Sequence, residues 1–382
     1  MTAVLVLAGV GIIAMVSDAM GFGRWMRWVV GFGLIVAFAA TFCPWQFATH
    51  MWEFDHVSLI WTRMLIGFSA VLYSLDTHEE GHFQRDALLI FSLIGAVLMT
   101  AFSHILMLFL AIEIMSIPLY VLAGTGDTHH SLEASLKYFI LGSFATAILL
   151  FGIALGFSAI PAGALLVVIG LCFKVGVVPF HLWVPDVYQG SPIRFTAFMS
   201  IVVKLAAIAG LSRFLALGFE YGPLLIGIAT ISMIIGAFLA LHQSSFKRWM
   251  AYSGIAHAGF MVVLVAIGES VLPSLLLYAF IYGLGSLVVF GFFGLQKDFN
   301  DDFEALKGLF FRQKGSAVAL ILGMLSLAGI PPLPGFFAKF LVLAHSWNLG
   351  LSGVVTIALI ASLVSTFVYL KFIGILFTQP KA

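Results

Sequence analysis

Residues 169–211, the most informative segment of the chain, read IGLCFKVGVVPFHLWVPDVYQGSPIRFTAFMSIVVKLAAIAGL. Two lysines, Lys174 and Lys204, lie in apolar runs on either side of a segment that contains three prolines. Proline removes a backbone donor and interrupts a helix, and interrupted backbone is tolerated in a membrane only where protein or water covers it. A lysine inside a span costs roughly 3 kcal/mol or more, so it indicates a function. The stretch predicts a broken transmembrane helix at the centre of an ion path.

The whole chain has the composition of a membrane protein. Of its 382 residues, 62% are hydrophobic and 9% are charged, and the mean hydropathy is +1.12. A soluble domain carries about 25% charged residues, which excludes a soluble fold. The net charge of +1 indicates no nucleic-acid surface. The two cysteines form no CxxC pair and no Gly-rich phosphate loop follows a strand pattern, so we expect no metal and no cofactor in this chain.

Apolar runs near the length that crosses a bilayer recur along the chain. We predict an all-α polytopic membrane protein of about thirteen spans, in which the seventh (163–184) and the twelfth (315–346) are broken by proline. The lysines Lys174 and Lys339 lie beside these two breaks. Because five spans separate the breaks, two inverted five-helix repeats would place them in matching positions, which is typical of a transporter midplane site. The unbroken spans are predicted at residues 2–17, 29–43, 57–75, 86–103, 104–123, 135–158, 194–217, 223–241, 249–267, 271–294 and 351–377.

The same pattern predicts the domain organisation and the orientation. Residues 1–85 hold three N-terminal helices, residues 86–217 and 218–377 hold the two repeats, and residues 378–382 form a short tail. Lysine and arginine concentrate in alternate loops, including the long polar segment 296–315. The positive-inside rule then places the N-terminus outside and the C-terminus in the cytoplasm.

Ionisable side chains occur inside these otherwise apolar helices. A buried lysine can lose its proton at modest cost whereas arginine cannot, so the predominance of lysine favours proton exchange over static anion binding. An acid beside a lysine favours its charged form, so movement of the acid would control proton release. Each residue also has a structural alternative, such as packing for the histidine or snorkelling for a lysine near a span end. The candidate relay residues are Glu113, Lys137, Lys174, Lys204, His257 and Lys339.

Five strings follow one another in a set order and spacing: LKYFILGSFATAILLFGIAL (136–155), FKVGVVPFHLWVPDVYQGSP (173–192), TAFMSIVVKLAAIAGLSRFL (196–215), FKRWMAYSGIAHAGF (246–260) and GIPPLPGFFAKF (329–340). Together they resemble the antiporter-like membrane subunits of respiratory complex I, and most of all the N-type subunit of the bacterial proton-pumping NADH:quinone oxidoreductase. The resemblance extends from about residue 86 to residue 377. Two features depart from the family: it usually has fourteen helices whereas this chain ends after the thirteenth, and Arg194 stands where the family has a small residue or proline.

The resemblance implies a function and a setting. The family passes protons across the membrane, driven by quinone reduction in other subunits, so no redox centre is expected here. It implies that Glu113 is the fifth-helix glutamate and that Lys137, Lys174, Lys204 and Lys339 are the lysines of the sixth, seventh, eighth and twelfth helices. The implied partners are other membrane subunits, the lipid bilayer, protons and internal water. The implied location is the bacterial inner (cytoplasmic) membrane.

The leading hypothesis is a proton relay from Lys174 through Lys204 to Lys339 along buried water, gated by Glu113. Three alternatives remain open. A subunit of a multi-subunit cation/proton antiporter or of a membrane-bound hydrogenase would share the helices and the lysines. A structural subunit that has lost transport would have no need of these buried charges. A stand-alone substrate carrier is the third alternative.

Overall fold

The computed structural model describes residues 1–19, 23–42, 51–75, 83–126, 128–156, 160–294, 301 and 303–378. Within these ranges the chain is almost entirely helical, and the isolated bridge between Trp52 and Phe102 is the one strand-like pairing. Parts of the predicted loop 296–315 and of the predicted tail 378–382 lie outside the described residues.

The described ranges contain α-helices and a few tighter or wider turns. Met199–Val203 form a π-helical turn, and Glu269–Val271 and Phe303–Leu306 form 3₁₀ turns. The α-helices are α1 Thr2–Ala19, α2 Gly23–Ala40, α3 His56–Leu75, α4 Phe83–Thr100, α5 Ile105–Ala123, α6 His129–Ala154, α7 Pro161–Val175, α8 Trp183–Gly190, α9 Ile193–Phe198, α10 Lys204–Leu215, α11 Gly222–Ala240, α12 Phe246–Ile267, α13 Leu272–Gly294, α14 Leu309–Arg312, α15 Lys314–Ala328, α16 Pro334–Asn348 and α17 Ser352–Phe377.

Each predicted span corresponds to a helix, or to a run of adjoining helices, at the predicted position. In the described part of the chain, 8 helical segments are long and apolar enough to cross a membrane by length and composition, and shorter apolar helices accompany them. The predicted seventh span is split into α7 and α8, and the predicted twelfth span is split into α15 and α16. The all-α polytopic fold with two broken helices is thus confirmed.

Both breaks occur where glycine and proline act together. Helix α7 ends before Gly176, whose φ is +78°, and Pro179 follows. Helix α15 ends at Ala328, and the next residue, Gly329, has a φ of +84° and donates its N–H to the carbonyls of Leu325 and Ser326. Glycine adopts this left-handed backbone without a steric penalty, and the prolines that follow cannot continue the helix.

Two compact units make up the chain. Unit 1 consists of Met1–Val175 and Gly190–Phe214, and unit 2 consists of Gly176–Gln189 and Leu215–Ala382. Unit 1 therefore holds α1–α7, α9 and nearly all of α10, whereas unit 2 holds most of α8 and all of α11–α17. The repeat boundaries predicted at residues 86 and 218 stay a prediction.

Small residues bring helices together inside each unit. In unit 1, Gly95 of α4 lies against the backbone of Met115 in α5. In unit 2, Gly236 of α11 and Gly259 of α12 each lie against backbone of the other helix. Such contacts are typical of membrane helices, which gain stability by close backbone approach. Two of the helices that carry interior ionisable groups, α10 in unit 1 and α12 in unit 2, are buried along most of their length.

Candidate functional site

Lys174 lies in the last turn of α7, directly before the first break, and is 2% exposed. Its Nζ donates to Ser116 Oγ at 2.9 Å and to Tyr120 Oη at 3.2 Å. The amine also lies 5.6 Å from the centre of the Tyr120 ring, a cation–π distance. Both hydroxyls belong to α5 and are four residues apart, so they face Lys174 from one side of that helix. Side-chain hydroxyls thus hold this amine.

Glu113 belongs to the same face of α5, because Ser116 and Tyr120 follow it at i+3 and i+7. Its half-buried carboxylate interacts electrostatically with Lys174. No ion pair between described residues joins the two side chains, and the direct partners of Lys174 are the hydroxyls. Glu113 and Lys174 therefore interact electrostatically without forming a direct ion pair, and the hydroxyls of Ser116 and Tyr120 contact the amine.

Lys204 begins α10, immediately after the π-helical turn Met199–Val203, and is 2% exposed. Its Nζ is buried and has no hydrogen-bond partner among the described residues. A buried polar group without a partner costs free energy, and π-helical turns occur frequently at functional sites. The buried amine of Lys204 therefore has N–H groups that are available to bind water or another polar group.

Lys137 lies in the N-terminal half of α6, and its surroundings differ from those of the other lysines. Its Nζ pairs with Glu133 Oε1 at 2.8 Å, with side-chain exposures of 41% and 57%. The two residues are one helical turn apart, which is the spacing of a surface ion pair. This amine is therefore accessible from outside unit 1.

Lys339 lies in the second turn of α16, beyond the second break, and is 5% exposed. Its Nζ donates to the carbonyl of Ala328 at 2.7 Å and approaches Ser362 Oγ at 3.5 Å. Ala328 is the last residue of α15, and the final carbonyls of a helix have no partner within it. The break itself therefore supplies the main acceptor for this amine.

His257 of α12 completes a cluster in unit 2. It is 6% exposed, and its Nδ1 shares a 2.9 Å hydrogen bond with Tyr278 Oη of α13. One turn along α12, Phe260 stacks on Tyr278 with ring centres 6.2 Å apart. The amine of Lys339 lies 5.6 Å from the centre of that Phe260 ring. His257, Tyr278, Phe260 and Lys339 are thus contiguous, and we call them the His257–Lys339 cluster.

Sequence reasoning missed the neutral partners of these charges. Ser116 and Tyr120 had a usable signal, since they share a helical face with Glu113. Tyr278 and the Ala328 carbonyl had none, because hydroxyl residues are common in membrane helices and every residue carries a carbonyl. Among the described residues, no group of three or more His, Cys, Asp and Glu side chains is arranged to hold a metal ion.

These features define a class of protein: an α-helical membrane protein of the ion-translocating type, with buried amines beside two proline-broken helices. A family model described as NADH:quinone oxidoreductase/Mrp antiporter, TM, matches residues 102–160 and 155–365. The chain belongs to this family.

Individual relatives resemble it over most of their length. NADH-quinone oxidoreductase subunit N of Cytophaga hutchinsonii is 35% identical, over 97% of this chain and 89% of the relative. NADH-quinone oxidoreductase subunit 14 of Thermus thermophilus is 36% identical, over 91% and 83%. A chain in the structure of respiratory complex I from Thermus thermophilus with bound aureothin matches with a TM-score of 0.91 and 32% identity, covering 100% of this chain and 91% of that chain.

Proposed function

We propose that this chain is a proton-translocating membrane subunit of an NADH:quinone oxidoreductase. The observation that carries the proposal is the burial of three lysines, Lys174, Lys204 and Lys339, which are 2%, 2% and 5% exposed. Charged side chains inside a membrane protein are costly and mark ion paths. Lysine can alternate between charged and neutral forms in such surroundings, as a proton carrier must.

The contacts of each lysine amine suit a different step of the proton relay. A hydroxyl can accept from an ammonium and can also donate to a neutral amine, so Tyr120 can serve both forms of Lys174. Ser116 donates its O–H to the carbonyl of Ile112 and accepts from the charged form of Lys174. Glu113 supplies a negative charge whose displacement would change the proton affinity of Lys174. Lys204 has open hydrogen-bonding capacity for water. Lys137 is accessible and would load protons, and His257 in unit 2 accompanies Lys339 as a second proton acceptor.

The energy source lies outside this chain in the proposal. Quinone reduction in other subunits of the complex drives the change in charge that moves Glu113 relative to Lys174. In the proposal the redox groups belong to those subunits, and this chain works within a bacterial inner membrane, with its N-terminus outside and its C-terminus in the cytoplasm. The named relatives, all NADH-quinone oxidoreductase subunits, support this assignment.

The test compares two lysine substitutions in the assembled complex, reconstituted in vesicles. Lys204→Ala removes a buried amine, and Lys371→Ala removes an exposed lysine of α17 as a matched control. We expect Lys204→Ala to lower the number of protons moved per quinone reduced and Lys371→Ala to leave that number unchanged. Undiminished pumping by an assembled Lys204→Ala complex would contradict the relay.

Co-purification separates the antiporter alternative from the proposal. A complex I subunit should be isolated with subunits that bind NADH. Isolation with antiporter subunits alone would assign the chain to a cation/proton antiporter, a membership that the family description also includes.

A further inference from the structure

Helix α16 carries a second polar group beyond Lys339. His345 lies six residues further on, in the last turn of the helix, roughly 9 Å along its axis. Its Nε2 shares a hydrogen bond of 2.9 Å with Ser274 Oγ, in the first turn of α13. His345 is half-buried, and Trp347, two residues on, is 66% exposed. An exposed tryptophan at a helix end is typical of the membrane–water boundary, so the imidazole lies close to that boundary.

Ser274 connects His345 to the His257–Lys339 cluster. It lies four residues before Tyr278 on α13, so the two hydroxyls occupy one face of the helix, roughly 6 Å apart along the axis. Tyr278 bonds His257. Polar groups of unit 2 therefore follow one another from the buried cluster towards the end of α16.

Ser346 adds a free hydrogen-bonding group at the same level. It follows His345 in the chain, is 1% exposed, and its Oγ has no partner among the described residues. Gaps of roughly 6 to 9 Å are too long for direct proton transfer, which needs heavy atoms within about 3 Å or a bridging water. A buried, unsatisfied hydroxyl is the kind of group that binds such a water.

The opposite end of unit 2 is closed by aromatic packing. Phe246 and Trp249 at the start of α12 pack against Phe293 and Phe372, with ring centres 3.8 Å and 4.3 Å apart. Phe303 stacks on Phe372 at 3.8 Å. These side chains are at most 6% exposed, and interiors packed in this way leave no room for a water chain. The buried hydrogen bond between Ser253 and Tyr369 lies on this side of the cluster, and Trp249 packs against the Tyr369 ring at 5.0 Å. A proton on Lys339 thus meets an aromatic layer behind these two hydroxyls, whereas in the other direction polar groups continue to the end of α16.

We infer that His345, hydrogen-bonded to Ser274, is the proton-release group of unit 2, at the membrane face where α16 ends. The inference rests on the proposed function and names the exit of the same path. A proton that leaves Lys339 through water adds to one ring nitrogen of His345, and the other ring nitrogen gives a proton to external water. The imidazole is neutral again after the second transfer, so the charge balance closes.

The experiment uses the complete complex in vesicles and measures protons moved per quinone reduced. His345→Ala removes the imidazole, whereas His345→Gln keeps a side chain that can bond Ser274 but cannot relay a proton. Lys339→Ala is the reference for a blocked path, and His242→Ala, an exposed histidine at the end of α11, is the matched control. We expect both His345 variants to lose the same share of pumped protons as Lys339→Ala, and the control to lose none. Added imidazole should restore pumping to His345→Ala and not to Lys339→Ala.

The outcomes separate the inference from the function on which it rests. Full pumping by His345→Gln would mean that the histidine only pins α16 to α13, and the inference would be overturned. Full pumping by His345→Ala beside a defective Lys339→Ala would also overturn it and leave the proposed function intact. Full pumping by Lys339→Ala would contradict the role of Lys339 in the proposed function itself. If His345→Ala does not assemble, His345→Gln gives the decisive result.

Discussion

The two break-associated lysines are held in different ways. In unit 1, Lys174 is held by side chains, the hydroxyls of Ser116 and Tyr120. In unit 2, Lys339 is held chiefly by the main chain, through the carbonyl of Ala328 at the end of α15. The first site should therefore respond to changes of side-chain chemistry. The second should respond to changes of backbone shape.

The largest expected effect is on the backbone of the second break. A Cβ at Gly335 would collide with the carbonyl of Ser326, which is backbone and cannot move aside cheaply. We expect Gly335→Ala to destabilise unit 2 by about 3 kcal/mol or more, the upper end of the cost of overpacking, and to displace Lys339 from Ala328. Thermal unfolding in detergent measures the first effect and proton pumping measures the second. Gly353→Ala is the control, because a Cβ there meets open space, and it should keep its melting temperature. Equal melting temperatures for the two variants would contradict the claim that the backbone contact at Gly335 is tight.

The next effect concerns the side chains around Lys174. Ser116→Ala removes an acceptor from a buried ammonium, and hydrogen bonds to charged groups contribute about 1.5 to 3 kcal/mol. If that loss appears in the barrier to proton transfer, pumping should slow by about tenfold or more. Ser362→Ala is the matched change in unit 2, where the contact with Lys339 is long at 3.5 Å, and it should slow pumping less than threefold by the same scale. Equal slowing in both variants would contradict the claim that side-chain hydroxyls matter more for Lys174 than for Lys339.

The smallest effect lies outside the membrane-spanning helices, at Asp55 before α3. Burial acts to raise the pKa of Asp55, but the N–H of Ser58 and the guanidinium of Arg213 outweigh it and hold the pKa below its ordinary value. A carboxyl with a depressed pKa contributes stability above its unfolded pKa of about 3.9, and this stability is lost as the pH falls through the folded pKa.

Asp55→Asn should therefore lower the stability of unit 1 at pH 7 by at most about 1 kcal/mol, because the pair is partly exposed. The difference from the parent protein should shrink as the pH falls below about 4. Melting temperatures from pH 7 to pH 3 measure this, with Glu269→Gln, an exposed carboxylate, as the control. A difference that grows on acidification would have the wrong sign and would contradict the assignment.

The sequence predicted the fold well because its main signals are local. Apolar runs specify spans, and Gly176 with Pro179 specifies the first break in the same way that Gly329 with the prolines after it specifies the second. The lysines stood out because each is an isolated charge in an apolar run. The site was therefore predictable as far as its charged members.

The surroundings of those charges were not predictable, since they depend on tertiary contacts. Arg194, noted from its sequence as unusual, pairs with Asp86 of α4 at 2.5 Å, and Tyr73 of α3 donates to the same carboxylate. Helix periodicity also could not show the π-helical turn before Lys204, because Ile193–Leu215 is buried on nearly every side and has no separate apolar face whose register an extra residue would shift. The pairing of Lys137 with Glu133 follows ordinary i, i+4 spacing and could have been read from the sequence.

The main-chain acceptor of Lys339 has a consequence for how related proteins diverge. Any amino acid offers the same carbonyl, so position 328 is constrained in size by its burial and not in chemistry. Surveys that infer contacts from correlated substitutions would find Ser116 or Tyr120 changing together with Lys174. They would find no position that changes together with Lys339, although its hydrogen bond to the Ala328 carbonyl, at 2.7 Å, is shorter than the 2.9 Å bond from Lys174 to Ser116.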